Sequence, residues 1–328
     1  MNLFEQLNAN LFIIFTKGMA LLTLVASFTS SWFTLQWTVS VATFLQLGLW
    51  FVIPESPRWL IASNRTKEAQ QLVKKAATRN GKILTEKSLG SADLEINQED
   101  SDSKADVEQA LGFKDLFNPH LMKTTLVMFL VWPIVTLGYY GITFGMASLS
   151  DDLFMDFALS SLIEIPSYVL VLLLMDIVGR KPLFSSSLLL SGAACIVVGT
   201  LDKNGSYADL RKVLALGGKF FASGTFAIVY MYTAELYPTI IRSTAVGSCS
   251  LMARIGGISS PLIALYLPSV TSPSIPYFLM GGASVFGGFL TLLLPETLGS
   301  SLPETMADVD QIKKDGKPFW KCINPCSR

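Results

Sequence analysis

SLMARIGGISSP, residues 250–261, lies inside an apolar run from about 244 to 267 and carries an arginine, Arg254, near its middle. A charge at the centre of a bilayer costs about 2.5–3.5 kcal/mol on insertion scales, so it is expected to face a bundle interior or a water-filled path. Such residues mark solute or ion traffic. Helical period gathers Gly247, Ser250, Gly257 and Pro261 around Arg254, a face of small residues that another helix or a ligand can approach closely.

The rest of the chain has the composition this reading needs. Of 328 residues, 51% are hydrophobic and only 15% charged, and the mean hydropathy is +0.47, which is too apolar for an ordinary soluble domain. Net charge is zero and the basic residues are scattered, so nucleic-acid binding has no support. Cys195 and Cys249 fall in apolar segments and Cys322 and Cys326 near the end, a pattern that implies no disulfide framework.

About 20 helical residues cross a hydrocarbon core near 30 Å thick. Runs at about 11–30, 34–53, 122–148, 154–175, 183–201, 211–233, 244–267 and 274–294 predict eight transmembrane helices. The first, with Lys17 inside it, is too long for a signal-peptide core and reads as a signal anchor. Lysine and arginine gather in 54–123, with eleven, in the turn at 176–183 and in the tail. The turns near 31–33, 149–153 and 268–273 have none, so alternation puts every basic segment on the cytoplasmic side, with both termini.

The predicted organisation is a pair of helices in 1–53, a cytoplasmic linker in 54–121, six helices in 122–294 and a cytoplasmic tail in 295–328. Within the linker, TKEAQQLVKKAATRNG places Ala69, Leu72, Val73, Ala76 and Ala77 at helical spacing, a short amphipathic helix. Residues from about 85 to 106, rich in Asp, Glu, Ser and Lys, read as disordered, and DVEQALGFKDLF resumes a helical pattern.

Polar stripes identify the inward faces. Glu164 shares one with Ser160, Ser161, Ser167 and Tyr168; Lys219 leads one with Ser223, Phe226 and Tyr230; and Trp132, Thr136, Tyr139, Tyr140 and Thr143 form a third. At a rise of about 1.5 Å per residue, Glu164, Lys219 and Arg254 all fall roughly 12–15 Å into their spans. The three charges are expected to converge near mid-membrane, where carriers that open alternately to each side bind solute. Two arrangements are open. Glu164 pairs with Arg254 and leaves Lys219 as surplus, or that pair does not form and Arg254 counts beside Lys219; both favour an anionic group on the ligand. The aromatic stripes suit helix packing, and equally an organic ligand or a quaternary ammonium.

Other chemistry finds little footing. His120 is the lone histidine, so neither a Ser-His-Asp arrangement nor a zinc-ligand spacing is supported, and GxxxxGK[ST] is missing. The expectation is a protein without cofactor or metal that is not an enzyme. Asn204-Gly205-Ser206 is a glycosylation sequon on the predicted outer side.

Four strings then become recognisable: PESPRWL (54–60), DIVGRKP (176–182), ELYPTIIRS (235–243) and PETLGSSLPET (295–305). These resemble the major facilitator superfamily. Together with IEIPSY around Glu164 and GKFFASGTFAIVYMYTAELYPT, they look like its organic cation, organic anion and carnitine transporter family, from about residue 18 to 310. The resemblance implies an all-α membrane protein of major facilitator fold, incomplete, with eight spans matching helices five to twelve of a twelve-helix carrier. In that family the position matching Arg254 tends to be acidic in cation carriers and arginine in anion or carnitine carriers. By the same resemblance Asp176, Arg180, Glu235 and Arg242 are gating residues that hold the inner helix ends together.

The combined expectation is a multi-pass secondary transporter, in the plasma membrane, for organic anions or carnitine-like zwitterions. Arg254, Lys219 and Glu164 would form its polar site and Tyr139, Tyr140, Phe226 and Tyr230 its aromatic walls. The rival readings are a sugar porter, and a shortened non-transporting chain that partners a full-length carrier.

Overall fold

The computed structural model describes residues 3–29, 31–46, 48, 55, 57, 60, 65–81, 113–146, 153–201, 207–238, 241–299 and 303. Every regular element among them is helical: α1 (Leu3–Ser27), α2 (Trp32–Gln46), α3 (Thr66–Arg79), α4 (Met122–Met146), α5 (Leu153–Leu162), α6 (Glu164–Val178), α7 (Arg180–Thr200), α8 (Ala208–Leu236), α9 (Arg242–Pro261), α10 (Leu267–Val270) and α11 (Ile275–Thr291). Among the described residues, five stretches are long and apolar enough to cross a membrane: Met122–Met146, Phe154–Val178, Arg180–Thr200, Ala208–Leu236 and Arg242–Val270. Ile14–Ser27 and Ile275–Thr291 are shorter apolar helices. Of the run expected at 34–53, α2 reaches Gln46, and the remainder lies almost wholly outside the described residues.

The chain divides into two compact units, residues 29–111 and residues 1–28 with 112–328. In the first, α3 forms where the linker pattern predicts a helix, with Ala69 buried and Arg65 paired to Glu68 at 2.8 Å. The stretch from 85 to 106 and residues 106–112 of the second linker pattern lie outside the described residues. Only Phe113–Phe117 of that pattern is described, and it forms a 3₁₀ turn rather than an α-helix.

The second unit is a helix bundle. α7 packs on α8 and α11, α4 on α8, α9 and α11, and α1 on α5, α6 and α8. Glycines set the closest approaches, as expected where lipid supplies no hydrophobic drive and packing must do the work. A Cβ on Gly192 would lie 2.8 Å from the Gly281 carbonyl oxygen, and one on Gly256 would lie 2.1 Å from that of Pro133. Large apolar side chains such as Leu173, Ile177, Phe289 and Leu293 are exposed on the outside of this bundle, as a hydrocarbon environment requires.

Prolines break the ladders. Pro166 has no N–H for the carbonyl of Leu162, and the run expected as one helix over 154–175 is interrupted at Ile163 between α5 and α6. Pro261 ends α9 and is followed by a wide π-type turn, Leu262–Tyr266, before α10.

Candidate functional site

The interruption at Ile163 leaves Glu164 in the first turn of α6, where free backbone N–H groups favour a carboxylate. Its side chain has no exposed surface, and one oxygen lies 2.8 Å from the equally buried ammonium of Lys219 on α8. That oxygen also accepts the Tyr139 hydroxyl at 2.7 Å, while the other accepts from Tyr168 at 3.1 Å and Thr16 at 3.2 Å. Lys219 donates to Thr143 at 2.7 Å and stands 3.5 Å from the centre of the Tyr139 ring. Charge, hydrogen bonds and a π face thus surround both ions, which is the condition for a buried pair to persist.

Tyr139 carries this core outward. Its ring stacks on Phe226 at 4.6 Å between centroids and meets Tyr140 edge-on at 5.1 Å. Phe226 in turn contacts Tyr230 at 5.5 Å, and Tyr230 contacts Trp132 at 4.6 Å. Tyr139 and Trp132 are buried; Tyr140, Phe226 and Tyr230 remain partly exposed. The result is an aromatic surface backed by a neutralised ion pair.

Arg254 stands apart from that pair. Three charges were expected to converge, but the structure joins two and leaves Arg254 exposed on α9, with no ion pair among the described residues. The reason is the face α9 uses for packing: Ala245, Cys249, Ala253, Gly256 and Ser260 are buried, and α9 lies chiefly against α4. Arg254 follows Ala253 by about 100° of helical turn and therefore points off that seam. It is close enough to Tyr140 to act electrostatically on its hydroxyl.

The four expected gating residues fall at the end of the bundle where α6 turns into α7. Arg180 lies 3.4 Å from Asp176 and 3.2 Å from Glu235 at the end of α8, and donates to the Met175 carbonyl at 3.2 Å. Arg242 donates to the Tyr237 carbonyl at 3.3 Å. Sequence reading missed Glu296. Its carboxylate accepts the backbone N–H groups of Arg180, Thr297 and Leu298 at 3.0 Å and of Lys181 at 3.1 Å, and so closes the start of α7. Gly179 makes room: its φ is +102°, and a Cβ there would meet the Glu296 carboxylate at 3.0 Å. Thr297 binds Glu235 at 2.5 Å, and Tyr232 donates to the Pro295 carbonyl. The signal for Glu296 was its place in the quoted PETLG string.

No group of three His, Cys, Asp or Glu side chains able to hold a metal occurs among the described residues.

Residues 1–308 match the family described as sugar (and other) transporter. This chain belongs to that family. It is a family of major facilitator transporters rather than enzymes, and within it the chain falls among solute carrier family 22 relatives. Solute carrier family 22 member 21 of Mus musculus is 34% identical over 303 residues, which are 92% of this chain and 52% of that protein. Organic cation/carnitine transporter 2 of Homo sapiens is 33% identical over 302 residues, with the same shares covered. The chain therefore spans about half the length of these curated relatives. A solved structure similar in fold, that of the major facilitator superfamily proton:xylose symporter XylE bound to 6-bromo-6-deoxy-D-glucose, superposes with a TM-score of 0.61 at 18% identity, over 93% of this chain and 67% of that one.

Proposed function

We propose that this chain supplies the carboxy-terminal wall of a plasma-membrane carrier for carnitine-like zwitterions and related organic anions, with both termini in the cytoplasm. The observation that carries the reading is the exposed Arg254 within electrostatic reach of Tyr140, with Phe226 and Tyr230 partly exposed on the same aromatic surface. Because Glu164 neutralises Lys219 internally, Arg254 is the charge that remains to meet a ligand. A guanidinium receives a carboxylate through two parallel hydrogen bonds. The ring faces suit a quaternary ammonium, an attraction of about 0.5–2 kcal/mol. The names of relatives support the choice, since one is an organic cation/carnitine transporter.

In this reading the ligand stands against the aromatic surface while two halves rock around it. The Arg180, Asp176 and Glu235 contacts, with Arg242, hold the inner helix ends together in one state and part in the other. Lys219, Glu164 and Tyr139 act as the positioning layer behind the rings.

The test is equilibrium binding of radiolabelled carnitine to the purified chain in lipid nanodiscs, with choline, butyrate and glucose as competitors. Carnitine should displace the label, choline and butyrate should each need at least about tenfold more, reflecting one lost contact of about 1.4 kcal/mol or more, and glucose should not compete. Saturable glucose binding with no carnitine binding would overturn the proposal in favour of a sugar porter.

A further inference from the structure

Arg211 lies in the first turn of α8, some 24 residues, or about 36 Å, from Glu235 at the other end of the same helix. It is only 4% exposed. Among the described residues its Nε and Nη1 have no hydrogen-bond partner, and its guanidinium carbon stands 5.4 Å from the centre of the Tyr277 ring. Tyr277 presents its ring face to the cation while its hydroxyl donates to the Gly145 carbonyl at 3.2 Å. Asp209, two residues earlier on α8, is exposed, and positions two apart on a helix do not face each other.

The guanidinium borders a cavity of about 180 Å³, also lined by Tyr277, Ala264, Leu265, Pro268 and Met280. Ala264 and Leu265 come from the wide turn after Pro261, a kind of helix defect that recurs at functional sites. An arginine cannot shed its proton, so burial leaves it charged, and a buried charge needs a counter-charge. Among the described residues, the side chains that line the cavity supply apolar walls and the guanidinium but no acid. At about 30 Å³ per water, 180 Å³ holds roughly six waters and falls below the range of about 300–1,000 Å³ for drug-sized ligands.

We infer that this cavity is a second, separate anion site, which takes one small monovalent anion, a halide or a short carboxylate, on Arg211. It is independent of the ligand proposed at Arg254. A lipid phosphate has the same chemistry, and the experiment separates the two sources.

The test is thermal unfolding of the purified chain in detergent free of added lipid, with sodium chloride or sodium acetate replacing sodium gluconate at constant ionic strength. Saturating chloride or acetate should raise Tm by about 4 °C in the native chain and in Arg254→Gln. The rise should vanish in Arg211→Gln. Should that variant not fold, Ala264→Leu, which fills the cavity and leaves the arginine in place, should abolish the rise instead. A rise that appears only with added anionic phospholipid, and is lost in both variants, keeps the anion site and makes the occupant a lipid phosphate. No rise with any anion, or a rise that survives both Arg211→Gln and Ala264→Leu, overturns the inference.

Discussion

Lys219 and Glu164 meet at 2.8 Å with neither side chain exposed, so each ion is the condition for burying the other. Removing one leaves a buried charge uncompensated, at a cost of about 3–5 kcal/mol, whereas replacing both with apolar groups is far less damaging. Lys219→Met should therefore lower the thermal unfolding midpoint sharply, and Lys219→Met combined with Glu164→Leu should recover more than half of the loss. A double variant as unstable as the sum of its parts would mean that the pair is not coupled.

Arg254 predicts the opposite pattern. It is exposed and unpaired among the described residues, so Arg254→Asp should change stability by less than about 0.5 kcal/mol. Binding should suffer instead. Reversing the charge that meets a carboxylate should weaken carnitine binding by at least about tenfold, equivalent to 1.4 kcal/mol or more, with choline affinity unchanged or improved. Undiminished carnitine affinity would remove Arg254 from the site.

Five of the eight expected spans, and the inward stripes that hold Glu164, Lys219 and Tyr139, were legible in the sequence because lipid imposes one rule on every crossing: apolar outside, polar or small inside; the small-residue stripe around Arg254 is not the packed face of α9. Ser160, Ser161, Ser167 and Tyr168 on the Glu164 stripe are all buried, as helical period required. The partner of each charge was not legible. Depth along the axis comes from counting residues, but azimuth depends on which face a neighbouring helix covers, and for α9 that is the seam of Ala245, Cys249, Ala253, Gly256 and Ser260 against α4. The same limit hid Glu296, whose role arises only when the end of the bundle folds back over the start of α7, 115 residues or more away in the chain.

That fold-back makes Glu296 a structural clasp with a measurable signature. Its carboxylate accepts four backbone N–H groups, two of them from Arg180 and Lys181 at the start of α7. Glu296→Ala strips these donors of their acceptor, and a lost cap costs about 0.5–2 kcal/mol. Amide exchange at Arg180 and Lys181 should accelerate by roughly tenfold, in line with about 1.4 kcal/mol of local stability, while amides in the middle of α7 keep their protection. Unaltered exchange at these two positions would show that water replaces the carboxylate without loss.

The bundle's helix spacing can be probed one methyl group at a time. On helix propensity alone, Gly→Ala stabilises an exposed helical site by about 1 kcal/mol. Gly282 has nothing within 4 Å of where a Cβ would lie, so Gly282→Ala should leave Tm unchanged or raise it. Gly256 is the reverse case, because the new methyl would fall 2.1 Å from the Pro133 carbonyl oxygen and 3.0 Å from the Leu137 nitrogen. These are backbone atoms and cannot swing aside, so α9 must move off α4, an overpacking cost of about 1–3 kcal/mol. Gly256→Ala should lower Tm by several degrees, and because α9 carries Arg254, it should also weaken carnitine binding more than Gly282→Ala does. Equal Tm values for the two variants would show that α9 does not approach α4 as closely as Gly256 and Pro133 indicate.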